Sequence, residues 1–216
     1  MTVLEFTEVA VNTRAGTRLI SNFTEAMRCG LTALVGRNGA GKSTLLRSIF
    51  GLHPLANGTI LLDGIDPIHA RRAFCANAIF QPQNFSTYPE MSGGEFLAYF
   101  SELRGIPGKQ AKTRSVEWLR RVGLEMDASR PTGQYSQGML QRLGLAYALQ
   151  ANAKLCVLDE PFAGIDPSGR AAMSDLVAVE ARERIVLIAT HHLDEMIERG
   201  AGVLEIESGG ARLLRA

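Results

Sequence analysis

Gly36-Arg37-Asn38-Gly39-Ala40-Gly41-Lys42-Ser43 fits the pattern G-x-x-x-x-G-K-[ST]. Glycines at these positions let successive backbone N–H groups converge on an anion, and a following helix adds the partial positive charge of its N-terminus. Lys42 supplies a full charge for the β- and γ-phosphates, and the Ser43 hydroxyl can ligate magnesium. Thr44 completes the candidate nucleotide-binding stretch. The flanks agree with this chemistry. An apolar strand pattern at residues 31–35 enters the loop, and a helical pattern at 42–50 leaves it and is closed by Gly51. Alone, the motif specifies a nucleoside triphosphate and nothing finer.

A second candidate group lies 159 − 42 = 117 residues further on, where the apolar run Leu155-Cys156-Val157-Leu158 ends in Asp159-Glu160. Carboxylates at the C-terminal tip of a parallel strand face the same crevice as a phosphate loop. Asp159 is placed to hold magnesium, directly or through water, and Glu160 to orient or deprotonate an attacking water. The plainer reading is that two acids mark an exposed strand end. Cys156, inside the apolar run, reads as packed core and not as a reactive thiol.

The elements that must position these groups follow from patterning. Leu4, Phe6, Val9 and Val11 alternate as a strand, and a turn near Ala15-Gly16 separates it from a second strand through Leu19 and Phe23. Asn57-Gly58 and Asp63-Gly64 bracket a short strand at 59–62 as tight turns. The runs 155–158 and 185–189 are wholly or almost wholly apolar, as suits parallel strands buried on both faces. Helical patterns cover 137–150 and 167–184. Between residues 92 and 134 two helices follow one another without a strand, at 95–104 and 109–122, the second with Val116, Leu119 and Val122 on one face. That predicts a helical insertion in an α/β domain. Trp118 reads as packing.

Composition narrows the setting. The chain has 216 residues, 46% hydrophobic and 21% charged, with 23 basic against 22 acidic side chains and a net charge of +1. That is a globular mix without general attraction for nucleic acid or an acidic membrane, so any polyanion must be gripped locally. No apolar run approaches the roughly 18 residues of a spanning helix. The first ten residues carry Glu5 and Glu8 and no basic flank, unlike a signal peptide. The three cysteines, Cys29, Cys75 and Cys156, are far apart and form no CxxC pair, which argues against a disulfide framework or a structural zinc site and for a reducing cytosol. Glycine is the unusual residue, at 22, about a tenth of the chain against an average near 7%.

Tyr135-Ser136-Gln137-Gly138-Met139, followed by Leu140-Gln141-Arg142, resembles the signature segment, usually L-S-G-G-Q, of the nucleotide-binding subunits of ATP-binding-cassette (ABC) transporters. It stands 159 − 136 = 23 residues before Asp159. The resemblance extends through Asp159-Glu160-Pro161, Gly164-Ile165-Asp166-Pro167, Thr190-His191, and Pro82-Gln83 in the place of the family's Q-loop. It implies an α/β P-loop NTPase core with a mainly parallel sheet, an N-terminal antiparallel β portion and an inserted helical subdomain. The expected arrangement is one domain over 1–216, with core at 1–83 and 136–216 and the helical part at about 84–135.

The resemblance also implies roles. Glu160, His191 and Lys42 are the expected catalytic set; Ser43, Gln83 and Asp159 are expected at the magnesium. Ser136, Gln137 and Gly138 are expected to close on the γ-phosphate held by a partner subunit, and Asp166 to reach across that dimer interface. Each has a plainer reading: Ser136 and Asp166 are good helix N-caps, and His191 and Gln83 are ordinary loop residues. Met91-Ser92-Gly93-Gly94-Glu95 looks superficially like the signature but directly follows the Q-loop, and reads instead as the start of a helix. The expected partners are a second ATP-binding subunit and separate transmembrane permease subunits, with ATP and Mg2+ bound, no nucleic acid, and a location on the cytoplasmic face of the membrane.

Two departures from the family pattern stand out. Gln137 replaces a glycine, and single-cassette exporter ATPases often look like Y-S-x-G-M here; with the compact ending at Ala216 this resembles an exporter subunit. The adenine-stacking aromatic is missing: residues 12–16 offer none, Ala15 is the nearest match, and Arg14 is the candidate substitute. Base stacking is worth on the order of 1–3 kcal/mol, so affinity or base selectivity should weaken while phosphate chemistry stays intact. A soluble ABC ATPase with a non-transport role, a nucleotide-responsive module without turnover, and a small-molecule kinase are the alternatives. Only 136 − 83 = 53 residues separate Gln83 from Ser136, too few for a long coiled-coil insertion.

Overall fold

The computed structural model describes residues 2–207 and 209–214. Ala216, where the sequence places a compact ending, lies outside them.

Three antiparallel strands, β1 (Val3–Asn12), β2 (Arg18–Arg28) and β4 (Asn57–Leu62), form a small sheet in the order β2-β1-β4. The larger sheet holds β3 (Gly30–Gly36), β5 (Ala78–Gln81), β6 (Leu155–Asp159), β7 (Ile185–Ala189), β8 (Gly202–Glu207) and β9 (Gly210–Leu214), in the order β5-β6-β7-β3-β8-β9. All its pairs are parallel except β8 with β9. Every residue of β6 and β7 is buried, as their unbroken apolar runs require of strands covered on both faces.

One face of the large sheet packs with β1, β2, β4 and α1 (Lys42–Ile49) into a core that includes Leu34, Leu46, Val157 and Leu187. On the other face a second core unites α5 (Gln137–Gln150), α6 (Pro167–Glu180) and the helical insertion. Between β5 and α5 run α3 (Gly93–Leu103) and α4 (Gly108–Arg121); α2 (Arg71–Asn77) precedes β5, and α7 (Leu193–Ile197) follows β7. Phe85, just past β5, packs edge-on against Phe96 of α3 and tilted against Tyr147 of α5, so an aromatic cluster ties the insertion to the core.

Ser92 opens α3 with a reciprocal cap: its Oγ accepts from Glu95 N at 3.3 Å, and Glu95 Oε2 accepts from Ser92 N at 2.8 Å. The glycine pair in Met91–Glu95 therefore starts a helix, as its position after the Q-loop predicts.

Three expectations are corrected. Val116 is exposed; the buried stripe of α4 and its C-cap is Ala111, Ser115, Trp118, Leu119 and Val122. Ser115 can go inside because its hydroxyl donates to Lys112 O at 2.9 Å. Trp118 is packed as expected, with the Arg121 guanidinium 4.0 Å over its ring. Helix α6 stops at Glu180, four residues short of the predicted 184, because the chain must turn for Ile185 N to reach Lys154 O at 2.9 Å and start β7. Asn57-Gly58 is no turn: it lies within β4, where the register with β1 shifts between Thr7 and Ala10 and Glu8 takes φ 49°.

Candidate functional site

The strand order carries the site. β3, which delivers the phosphate loop, lies between β7 and β8. Leu34 is level with Ala189, and Ala189 is level with Asp159, so the tips of three strands end side by side. Glu160 N donates to Ala189 O at 2.9 Å, which fastens the acidic tip to the strand that ends in Thr190-His191.

Gly36 is level with Ile206 on β8, and a Cβ there would fall 2.5 Å from the Ile206 carbonyl oxygen. No other residue fits without moving β8. Gly41, left-handed at φ 110°, sits at the N-cap of α1. Lys42 Nζ donates to Gly36 O at 2.8 Å and to Arg37 O at 3.4 Å, so the loop's own carbonyls hold the ammonium inside the cradle.

A cavity of about 280 Å³ gathers Asn38, Gly39, Gly41, Lys42, Ser43, Thr44, Gln83, Asp159, Glu160 and His191, with Thr13 and Leu19 as its far wall. Gly36, Arg37 and Ala40 line an adjoining cavity of about 800 Å³, which shares Leu19, Asn38 and Gly39 with the first. Residues separated by more than a hundred positions in sequence thus converge. Ser136, Gln137, Gly138 and Asp166 line neither cavity.

Ser136 and Asp166 do what their plain readings predict. Ser136 Oγ accepts from Met139 N at 3.2 Å at the start of α5, and Asp166 Oδ1 accepts from Gly169 N at 2.9 Å at the start of α6. Hydrogen bonds from Ser168 and Gly169 hold the Asp166 carboxyl below its ordinary range. The two helix starts are locked together: a Cβ on Gly138 would lie 2.6 Å from Gly164 O.

Asp159 is 2% exposed, and burial raises its carboxyl above the ordinary 3.8, against the opposing pull of the Ser43 hydroxyl, Arg47 and Lys42. Burial likewise raises Glu160 above 4.5; His191 and Lys42 oppose the rise and Asp159 adds to it. Glu160 Oε1 is buried and accepts no hydrogen bond, yet His191 Nε2 stands 3.1 Å away, close enough to form an ion pair when protonated. Glu160 also has φ 50° at the strand exit, a conformation costing about 1–3 kcal/mol in a non-glycine residue. Such strain and a raised carboxyl mark a group aimed at a ligand. Cys156, by contrast, is fully buried, and its thiol is pushed up to about 12, so it is core.

Among the described residues no three His, Cys, Asp or Glu side chains cluster as a complete metal cage. The donors present suit magnesium, which takes one or two carboxylates and completes its octahedron with water and substrate phosphates. Asp159 is a buried carboxylate whose neighbour is the Ser43 hydroxyl, both hard oxygen donors.

Because folding raises the Asp159 carboxyl, the folded chain binds that proton more tightly than the unfolded chain. Ionised Asp159 therefore destabilises the fold progressively as pH rises from 3.8 through the folded value. Asp159→Asn is expected to raise the melting temperature at neutral pH in EDTA, because the amide carries no charge to desolvate. The gain should vanish below the ordinary carboxylate range; a thermal melt with no gain at neutral pH contradicts the assignment.

Sequence reading missed Thr13 and Leu19. Leu19 belongs to the cavity because the loop runs against it, with its Cβ 3.2 Å from where a Gly41 Cβ would be, and no local pattern announces that contact. Arg14 and Ala15, the candidates for the base, line neither cavity, and among the described residues neither cavity has a Phe, Tyr or Trp on its wall.

Comparisons with known proteins agree with this geometry. The family profile described as ABC transporter matches residues 25–163. YxlF of Bacillus subtilis (strain 168), an ABC transporter ATP-binding protein, is 37% identical over 163 residues, 76% of this chain and 54% of its own. YbhF of Escherichia coli (strain K12), a probable multidrug ABC transporter ATP-binding protein, is 36% identical over 166 residues, 76% of this chain and 29% of its own. ProV of the same organism, the ATP-binding protein of a glycine betaine/proline betaine transport system, is 32% identical over 183 residues, 82% of this chain and 46% of its own. The chain spans about half the length of these curated relatives, or less. A solved structure of the ATP-binding subunit of an ABC transporter superposes with a TM-score of 0.86 at 25% identity, covering 98% of this chain and 90% of that one. The chain belongs to the ABC transporter family, and its fold is that of the family's ATP-binding subunits.

Proposed function

We propose that the chain hydrolyses MgATP between two copies, or between itself and a related subunit, arranged head to tail, and that this cycle drives separate membrane subunits. One observation carries the reading. Lys42, Ser43, Gln83, Asp159, Glu160 and His191 line one cavity, whereas Ser136, Gly138 and Asp166 stand outside it at two helix starts locked together by the Gly138–Gly164 contact. A second copy brings that second group to the first.

The steps follow from this chain's residues. Lys42 leaves the loop carbonyls of Gly36 and Arg37 for the β- and γ-phosphates. Backbone N–H groups of residues 38–43 and the N-terminus of α1 take up the remaining phosphate charge. Magnesium, when bound by Ser43 and Asp159 with Gln83 nearby, neutralises charge that develops on the phosphates. Glu160 accepts the proton of the attacking water, and His191, at 3.1 Å from Glu160, orients that water and the γ-phosphate. Ser136 and Gly138 of the partner subunit close over the γ-phosphate, so the closed dimer forms with ATP and opens after hydrolysis.

The base rests on the aliphatic face of Leu19 beside Thr13, without a stacking ring. No helix of the described residues is long and apolar enough to cross a membrane. In this reading the chain docks on the cytoplasmic face of separate membrane subunits, and those subunits choose the cargo. The first test is phosphate release from ATP by the purified chain. Release with Mg2+ that stops in EDTA is expected; none at any ATP concentration overturns the reading.

A further inference from the structure

The loop that leaves α1 carries His53, which lies outside every nucleotide-binding motif. The end of α1 is firmly held. Gly51 N donates to Ser48 O and Leu52 N to Arg47 O, both at 2.9 Å, with Gly51 left-handed at φ 63°. Phe50, the C-cap, stacks on Phe80 and meets Phe74 edge-on, and the Arg71 guanidinium donates to Phe50 O at 3.1 Å. His53 follows, half-buried, with Nε2 2.8 Å from Asn12 O. A carbonyl oxygen only accepts, so Nε2 carries the proton and donates.

This bond extends the edge of β1. Ala10 is opposite Asn57, the first residue of β4, and Ala56 N donates to Ala10 O at 2.7 Å. Two residues nearer the turn, Asn12 O receives the imidazole instead; Pro54, beside His53, has no N–H to offer. Asn12 Oδ1 is buried without a partner, so the side-chain oxygen adds no anchor. Beyond Asn12 the chain turns as one unit. Thr13 N donates to Thr17 O at 2.7 Å, and Thr17 N and Gly16 N donate back to Thr13 Oγ1 and Thr13 O, both at 3.0 Å. Thr13 and Leu19 are the far wall of the cavity that Lys42, Ser43 and Thr44 also line. Helix α1 thus bears the phosphate cradle at its N-terminus and, through His53, holds the far wall from its C-terminus. Its eight residues set these ends about 12 Å apart.

We propose that His53 is a positioning residue that fixes the far wall, and with it the nucleoside end of the bound nucleotide, at a set distance from the phosphate cradle. Its donor holds Asn12, and Asn12 places Thr13 and the turn that Thr13 closes. The proposal rests on the reading that the base lies on Leu19 beside Thr13, and it adds the residue that places that wall.

Two amides of different reach test it. In His53→Gln the side-chain nitrogen takes the place of Nε2, whereas in His53→Asn it stops at the place of Nδ1. Steady-state kcat and KM for MgATP are measured with the full chain, and inorganic triphosphate with Mg2+ serves as a competitor that has no nucleoside. His53→Asn should raise KM about fivefold, the scale of one lost hydrogen bond, with kcat and the inhibition constant of triphosphate within about twofold of wild type. His53→Gln should bring KM back to the wild-type value. Altered packing alone would neither separate the two amides nor spare triphosphate. If His53→Asn fails to fold, His53→Ser, which is also too short, takes its place with the same expectation. An unchanged KM in the short variant, a glutamine variant as weak as the short one, or an equal loss for triphosphate overturns the proposal. Leu19→Ala tests the underlying reading, and should raise KM for ATP while sparing triphosphate. An unchanged KM there defeats the base reading and the proposal with it; a raised KM beside an unchanged one in His53→Asn defeats the positioning role alone.

Discussion

Glu160→Gln is expected to lower MgATP hydrolysis by about 10³-fold, the scale of a positioned general base. The substitution keeps the size of the side chain and the amide can still sit beside His191, so nucleotide binding should survive while proton acceptance is lost. The pH profile separates these roles. Burial raises the Glu160 carboxyl, so the wild-type kcat/KM should fall as acid protonates it, with a midpoint above the ordinary 4.5. His191 and Lys42 limit the rise, and above that midpoint Glu160 is ionised and active. The residual rate of Glu160→Gln should lack this acid limb. Phosphate release measured across the acid and neutral range checks both, and an identical limb in the variant would assign the titration to another group.

Lys42→Ala should lower kcat/KM for ATP by at least about 10²-fold, as expected when one preorganised charge is withdrawn from transferring phosphates. Here the cause is specific. Among the described residues Lys42 is the one lysine or arginine in the wall of the inner cavity. Its ammonium already rests on Gly36 and Arg37 carbonyls, so the cradle is preorganised around it. Isothermal titration with a non-hydrolysable ATP analogue should show the loss in binding as well as in turnover. Wild-type affinity in Lys42→Ala would disprove the assigned cradle.

Much of this was legible in the sequence because the informative features are local. A phosphate loop must be glycine-rich, buried parallel strands must be apolar on both faces, and capped helices start at Ser136 and Asp166. Accordingly β7 and α5 match the pattern residue by residue, and β6 runs one residue past it to Asp159. What escaped depends on contacts between distant elements. Val116 counts as apolar in any periodicity, yet small Ala111 and Ser115 decide which face of α4 packs. The end of α6 is set by where β7 must begin, and Arg184 is drawn inward, donating to Leu149 O at 3.1 Å. His53 is unremarkable alone, and it becomes an anchor only once the loop after α1 lies beside the end of β1. Leu19 joins the cavity wall through its closeness to Gly41, which no sequence spacing encodes.

The most direct test of the central claim is the oligomeric state of Glu160→Gln by sedimentation equilibrium at saturating MgATP. The composite site predicts a dimer that forms with MgATP, returns to monomer in EDTA, and fails to form when Ser136→Arg is added. A Glu160→Gln chain that stays monomeric at saturating MgATP would contradict it.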